Sequence, residues 1–308
     1  MAERAPFLVL TFLLGAALAR VSLCALAATQ QLVERRQWAG LHKLLLAAAG
    51  AGCVLLVLHL WEPSQVLLPG AMRIDRALIL GGVLLGAGAL INGGCYLGSV
   101  LYLGSGNLNF LFTLCGIGIG LRTAQLAWPA WASMAVLSRG VMAQWQAWTG
   151  LLICALLVLL ALTRRDARRA ALWPLLAGGL AGLVYAHHPG WSYGRVIDGL
   201  AHGAWRRMDW LAGLSALCLF AGAIISSWLS GRWKMQRPNP LRGARCLGGG
   251  VLLGLGAAFV PGGNDSLLLW SIPGLALYGV LAYGTMLLTL TALLTPATLW
   301  RQLRSVAR

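Results

Sequence analysis

Acidic residues are scarce in this sequence: eight of its 308 residues are Asp or Glu, and charged residues of either sign make up only 10%. Soluble proteins carry about 25% charged residues, so this composition excludes an ordinary soluble domain. Because 59% of the residues are hydrophobic, we expect an integral membrane protein. The shortage of carboxylates also leaves little material for general acid–base catalysis.

Motifs of enzyme, nucleotide and metal sites are also missing. The sequence contains no Walker loop, no dinucleotide-binding fingerprint and no Ser-His-Asp order. Its seven cysteines form no C-x-x-C pair and no Cys/His set with zinc spacing. We therefore predict that the protein is not an enzyme and uses no cofactor and no metal. A membrane enzyme acting on sulfur compounds is a third alternative, but it would need a base beside a reactive thiolate, and the sequence shows none.

The basic residues outnumber the acidic ones, 24 to 8, which gives a net charge of +16. In a soluble protein this balance would indicate a nucleic-acid partner. Here the arginines cluster between long apolar runs, a pattern typical of cytoplasmic loops that face anionic lipid. The sequence therefore predicts contact with membrane lipid and no binding of nucleic acid.

Charge clusters also predict the orientation of the chain. Basic clusters at residues 164–169, residues 232–245 and the C-terminal tail are placed in the cytoplasm by the positive-inside rule. Arg35 and Arg36 place the first loop on the same side, so the N-terminus lies outside. The run at residues 6–28 carries no clear cleavage site and is predicted to be a retained span rather than a signal peptide.

Two apolar segments interrupted by glycine resemble each other. Residues 81–95 read GGVLLGAGALINGGC, and residues 249–264 read GGVLLGLGAAFVPGGN, with one inserted residue. Each glycine inside a helix costs roughly 0.5–1 kcal/mol relative to alanine, so a simple lipid-spanning helix would not collect them. A repeated, glycine-broken hydrophobic segment is typical of the substrate path of a transporter. The alternative is that these glycines only allow close helix packing.

The predicted orientation makes the two segments enter the membrane from opposite faces. We therefore predict an all-α polytopic bundle with two inverted-topology repeats, whose glycine-broken half-helices meet near the membrane midplane. The chain forms one transmembrane domain over residues 1–308, with a first half at 1–163 and a second half at 164–308.

The turns of the two segments supply the candidate site. Cys95 follows one Gly-Gly pair and Asn264 follows the other, so both side chains should lie near the axis between the halves. Asp265 is costly in a membrane unless it is protonated, paired or placed outside the pore as a cap. The candidate residues from these turns are Asn92, Gly93, Gly94, Cys95, Gly262, Gly263, Asn264 and Asp265.

Three stretches resemble the YeeE/YedE family of bacterial inner-membrane proteins, which is linked to uptake of thiosulfate and related sulfur compounds. They read LLGAALARVSLCALAA at 13–28, INGGCYLGSVLYLGSGNL at 91–108 and LCLFAGAIISSWLSGRWKMQRPNPLRGARCLGGGVLLGLGAAFVPGGN at 217–264. The first stretch contains Arg20 and Cys24, whose spacing of four predicts that they share one helical face. Arg20 is predicted to extend toward the cytoplasmic interface rather than into the pore.

The resemblance implies a permease for a small sulfur-containing anion in the bacterial inner membrane. It implies three pore-lining cysteines, of which Cys24 and Cys95 are present, whereas Asn264 stands at the third position. It also suggests a small cytoplasmic sulfur-carrier protein as a partner. The alternative is a non-transporting membrane subunit that delivers sulfur or selenium species to such a carrier.

Overall fold

The structure, a computed structural model, describes residues 4–129, 144–163, 165–201, 210–260 and 262–306. Every regular element in this part of the chain is a helix. The helices are α1 (Arg4–Val21), α2 (Ala25–Arg35), α3 (Ala39–Trp61), α4 (Arg76–Asn92), α5 (Tyr96–Gly104), α6 (Phe110–Ala127), α7 (Gln144–Thr163), α8 (Arg165–His187), α9 (Tyr193–Ala201), α10 (Trp210–Leu229), α11 (Pro240–Phe259), α12 (Asn264–Ser266) and α13 (Leu277–Val306). A π-helical segment, Leu267–Ser271, continues α12.

Within the described residues, eight helical spans are long and apolar enough to cross a membrane, or nine if the bent pair α11–α12 counts as one span. Two of the eight consist of a long helix followed by a short one, α1–α2 and α4–α5. The prediction of a polytopic all-α membrane protein is thereby confirmed.

The first span is broken near its middle, which the sequence did not indicate. Ser22 adopts the left-handed conformation with φ of 58°, and Cys24, which is extended, occupies the N-cap position of α2 without a side-chain capping bond. The prediction that Arg20 and Cys24 share one helical face is therefore wrong, because α1 ends between them. Arg20 is exposed, and its Nε donates to Ser226 Oγ on α10 at 3.2 Å.

The helices before and after α7 follow the same order. The first set is α1–α6 and the second is α8–α13. Each set contains the same unit twice: a long helix, a break, a short helix and a second long helix. The packing partners are exchanged between the two sets: α1 packs on α10 and α3 on α8, while α6 packs on α11 and α13 on α4. This exchange is the arrangement expected for two halves related by a two-fold axis.

The two glycine-rich helices, α4 and α11, cross through reciprocal glycine contacts. A Cβ built on Gly81 would lie 3.1 Å from the carbonyl oxygen of Gly256, and one on Gly88 would lie 2.9 Å from that of Gly249. Gly81 aligns with Gly249 in sequence, and Gly88 aligns with Gly256. These glycines serve close packing, as the packing alternative proposed, whereas the glycines of the turns have a different role described below.

The loops form two separate faces. On one face, Lys234 N donates to Ser105 O and Gln236 N donates to Gly106 O, both at 2.9 Å, so the basic α10–α11 loop lies against the α5–α6 loop. At the α13 N-terminal end, Gly274 lies against Pro69 of the α3–α4 loop. The positive-inside rule predicts that the first face is cytoplasmic.

Candidate functional site

The candidate site forms where four helix breaks meet inside the bundle. Each break precedes the N-terminus of a short helix: α2, α5, α9 or α12. Side chains from the four breaks contact one another in two pairs, Cys24 with Cys95 and Ser192 with Asp265. Four segments far apart in sequence therefore contribute to one buried polar region.

The two cysteines, both buried, form the first pair. The Sγ atoms of Cys95 and Cys24 are 3.7 Å apart, which allows a weak S–H···S hydrogen bond. Cys95 Sγ also accepts from the backbone N–H groups of Ala25 and Gly98, each at 3.4 Å. A Cβ at position 98 would lie 2.8 Å from Cys24 Sγ, so a larger residue here would displace the Cys24 sulfur.

Each Gly-Gly turn contains one left-handed glycine; Gly93 is the C-cap of α4, whereas α11 ends earlier, with the extended Val260 as its C-cap. Gly93 has φ of 77° and Gly262 has φ of 79°, conformations that glycine adopts without steric cost. The two turns differ in where the next helix begins relative to the Gly-Gly pair. Cys95 is the N-cap of α5, whereas Gly263 is the N-cap of α12 and Asn264 is its first residue.

Asn264 links the two turns directly. Its Oδ1 accepts from Tyr96 N at 3.0 Å, which satisfies one N–H group at the start of α5. The side chain is completely buried and lies beside Cys95 and Tyr283. Its Nδ2 has no acceptor among the described residues. Asn264 therefore presents a free amide donor next to the cysteine pair.

Asn92 supports the first turn. Its Nδ2 donates to Gly94 O at 2.6 Å and to Ser99 Oγ at 3.3 Å, and its Oδ1 accepts from Thr113 Oγ1 at 2.6 Å. The amide oxygen and nitrogen are both engaged, so Asn92 fixes the shape of the turn that carries Cys95.

Asp265 lies inside the protein with 4% of its surface exposed, so it is not an exposed cap. Its Oδ2 accepts from Ser192 Oγ at 2.9 Å, and its Oδ1 has no hydrogen-bond partner among the described residues. Ser192 was missed by the sequence analysis. The signal that could have revealed it is its position just before a short helix, equivalent to the position of Cys24 before α2.

An open cleft approaches the site from each side. A cleft of about 550 Å³ on the face with the basic loop reaches Asn92 and Gly93 and is lined by Arg237, Arg242 and Arg245. A smaller cleft of about 180 Å³ is lined by residues that include His188, Ser192 and Arg195. One cleft therefore reaches Asn92 and Gly93 and the other reaches Ser192, and the cysteine pair and Asn264 lie between these residues.

None of the curated proteins compared with the chain matches it. The family model described as sulphur transport matches residues 20–172 and 132–292, which together span residues 20–292. These ranges include every candidate residue of the site and confirm the predicted family. The chain belongs to the sulphur transport family, YeeE/YedE.

Proposed function

We propose that this membrane sulphur transporter is a permease for a small sulfur-containing anion such as thiosulfate. The anion would pass a constriction formed by Cys24, Cys95 and Asn264. The observation that carries this proposal is the convergence of these three side chains, from three separate helix breaks, at one buried point.

The chemistry of the constriction suits a soft anion. A thiol is a weak, polarizable donor, and an amide N–H is a stronger one. The Nδ2 group of Asn264 has no acceptor among the described residues, so it can donate to a passing anion without breaking a bond. No arginine or lysine is part of the constriction, and weak donors hold an anion loosely enough to release it.

The two clefts provide the approach to the constriction. The arginines of the larger cleft create a positive potential that attracts anions to the turn at Gly93. Gly93 lies two residues from Cys95, and Ser192 of the smaller cleft contacts Asp265, the neighbour of Asn264. A solute that enters from either side therefore reaches residues adjacent to the constriction.

The proposal includes the inverted repeat and a location in the bacterial inner membrane. The equal order of helices in the two sets, the exchanged packing partners and the reciprocal glycine contacts support the repeat. Irregular backbone at the breaks suits a path at membrane depth, because such backbone is tolerated only where protein or a polar cavity surrounds it.

The basic cleft also supports the proposed carrier partner. Its arginines, with Arg232 and Lys234 nearby in the same loop, form a positive surface on the face assigned to the cytoplasm. A small sulfur-carrier protein with an acidic surface would be attracted to it.

The test is growth on thiosulfate as the sole sulfur source, in a bacterium stripped of its own uptake systems. We expect the wild-type chain to restore growth and Cys95→Ala to fail. Cys115→Ala, which changes an exposed cysteine of α6, is the matched control and should grow like wild type. Immunoblots of membranes check that each variant is present.

Asn264→Cys separates the remaining alternatives. Growth restored only by this variant would mean that the wild-type pore carries a different solute. If no variant restores growth although all are present in the membrane, the proposal of a permease is overturned in favour of a non-transporting subunit that delivers sulfur or selenium species.

A further inference from the structure

The proposed constriction of Cys24, Cys95 and Asn264 gives no role to the neighbouring Asp265. This carboxylate is 4% exposed, and no Arg, Lys or His of the described residues lies within ion-pair distance of it. Burying an ionised carboxylate without a cationic partner is strongly unfavourable. A negative charge here would also repel an anion that passes Asn264, the preceding residue.

The groups around Asp265 come from three other elements and are mostly neutral. The phenols of Tyr96 on α5, Tyr185 on α8 and Tyr193 on α9 lie near enough for the charge of Asp265 to affect them. The nearest basic residue along α9 is Arg195, which is exposed and lies against Gly190. Cys95 and Tyr283 face the neighbouring Asn264 rather than the carboxylate.

The hydrogen bonds around the carboxylate suit a proton better than a metal cation. Ser192 Oγ already donates to Oδ2 and accepts from Gly194 N at 3.2 Å. The carbonyl oxygen of Tyr96 accepts from Tyr193 Oη at 2.9 Å. Metal cations such as Ca²⁺ and Mg²⁺ require six or more oxygen ligands, whereas here the neighbouring oxygens are already used. A proton needs only the unpartnered Oδ1.

We propose that Asp265 is a proton-binding site that couples the movement of the sulfur anion to the movement of a proton. The proton binds Oδ1 of the carboxylate, which becomes a neutral carboxyl group, and the anion then passes Asn264 without repulsion. Dissociation of the proton restores the carboxylate. The proton site is inferred from the buried carboxylate alone, whereas its coupling to the movement of the anion rests on the proposed function.

The cleft near Ser192 provides a route for the proton. Ser192 lines the smaller cleft and donates to Oδ2, so water in that cleft reaches within one side chain of the carboxylate. The opposite face carries the arginine-lined cleft, which is suited to anions rather than protons.

The coupling is tested by uptake of labelled thiosulfate into proteoliposomes that contain a trapped pH-sensitive dye. For the wild type, acidifying the outer solution should speed uptake by up to about tenfold per pH unit, because proton binding follows mass action, and the dye should report acidification inside. Asp265→Asn keeps the acceptor for Ser192 and should transport at a rate that does not respond to pH, without proton movement. Asp198→Asn, on α9, is the matched control and should behave like wild type.

A second measurement keeps the proton site separate from the thiosulfate proposal. Infrared spectra of the purified protein during a pH titration should show the carbonyl stretch of a protonated carboxylic acid, lost in Asp265→Asn and retained in Asp198→Asn. If that result holds but the wild type moves no thiosulfate, the proposed substrate fails and the proton site stands. Equal spectra for wild type and Asp265→Asn, or wild-type uptake that is independent of pH, would overturn the inference.

Discussion

At the scale of single residues, Cys95 combines two roles that substitutions can separate. It caps α5 through Gly98 N, and its sulfur contacts Cys24. Serine is among the preferred N-cap residues, whereas alanine cannot accept the bond, and loss of a cap costs about 1 kcal/mol. We therefore expect Cys95→Ser to retain the stability of the wild type but to lose thiosulfate uptake by about tenfold or more, which corresponds to roughly 1.4 kcal/mol.

Two measurements check this prediction: thermal unfolding of the purified variants in detergent and initial rates of uptake in proteoliposomes. Cys95→Ala should lower both stability and uptake. If Cys95→Ser transports at the wild-type rate, the soft sulfur atom is not required, and Cys95 acts only as a cap.

Residues with a repeated motif could be predicted from the sequence, and residues without one could not. Cys95 and Asn264 follow Gly-Gly pairs, so their place at the two turns could be inferred from the pattern. The break before Cys24 contains Ser22 in a left-handed conformation and no Gly or Pro, so local propensity does not reveal it. The unpartnered Oδ1 of Asp265 and its contact with Ser192 depend on packing between distant helices, which sequence spacing does not record.

At the scale of elements, the crossing of α4 and α11 depends on the absence of side chains at particular glycines. A Cβ at Gly249 would lie 2.7 Å from Cα of Asn92, at the end of α4. Gly248, the preceding residue, is exposed and has nothing within 4 Å of an added Cβ. Gly249→Ala should destabilise the protein by about 1–3 kcal/mol through overpacking.

Gly248→Ala is the matched control for this prediction. It should leave stability unchanged or raise it by up to about 0.5–1 kcal/mol, since alanine favours the helix more than glycine does. Chemical unfolding of both variants in the same detergent gives the comparison. Equal effects of the two substitutions would mean that helix propensity, and not the close crossing, determines these positions.

The presence of many membrane-spanning helices was easier to predict from the sequence than the way these helices pack on one another. Long apolar runs and basic clusters predicted a polytopic helical protein, because composition alone decides whether a segment can remain in lipid. The exchange of packing partners between the two sets of helices is a property of the folded bundle. It could be anticipated only from the similarity of residues 81–95 and 249–264.

At the scale of the whole molecule, the two loop faces must lie on opposite sides of the membrane if the halves are inverted. The α3–α4 loop is predicted to be external, and the α10–α11 loop, which contains Arg232, Lys234 and Arg237, is predicted to be cytoplasmic.

Ser64 and Met235 are exposed residues in the two loops. Ser64→Cys should react with a membrane-impermeant maleimide in intact cells, whereas Met235→Cys should react only after the cells are opened. The unsubstituted chain, labelled in parallel, measures the background of its seven native cysteines. Labelling of both new cysteines in intact cells, or of Met235→Cys alone, would contradict the predicted orientation and with it the entry of the two glycine-broken segments from opposite faces.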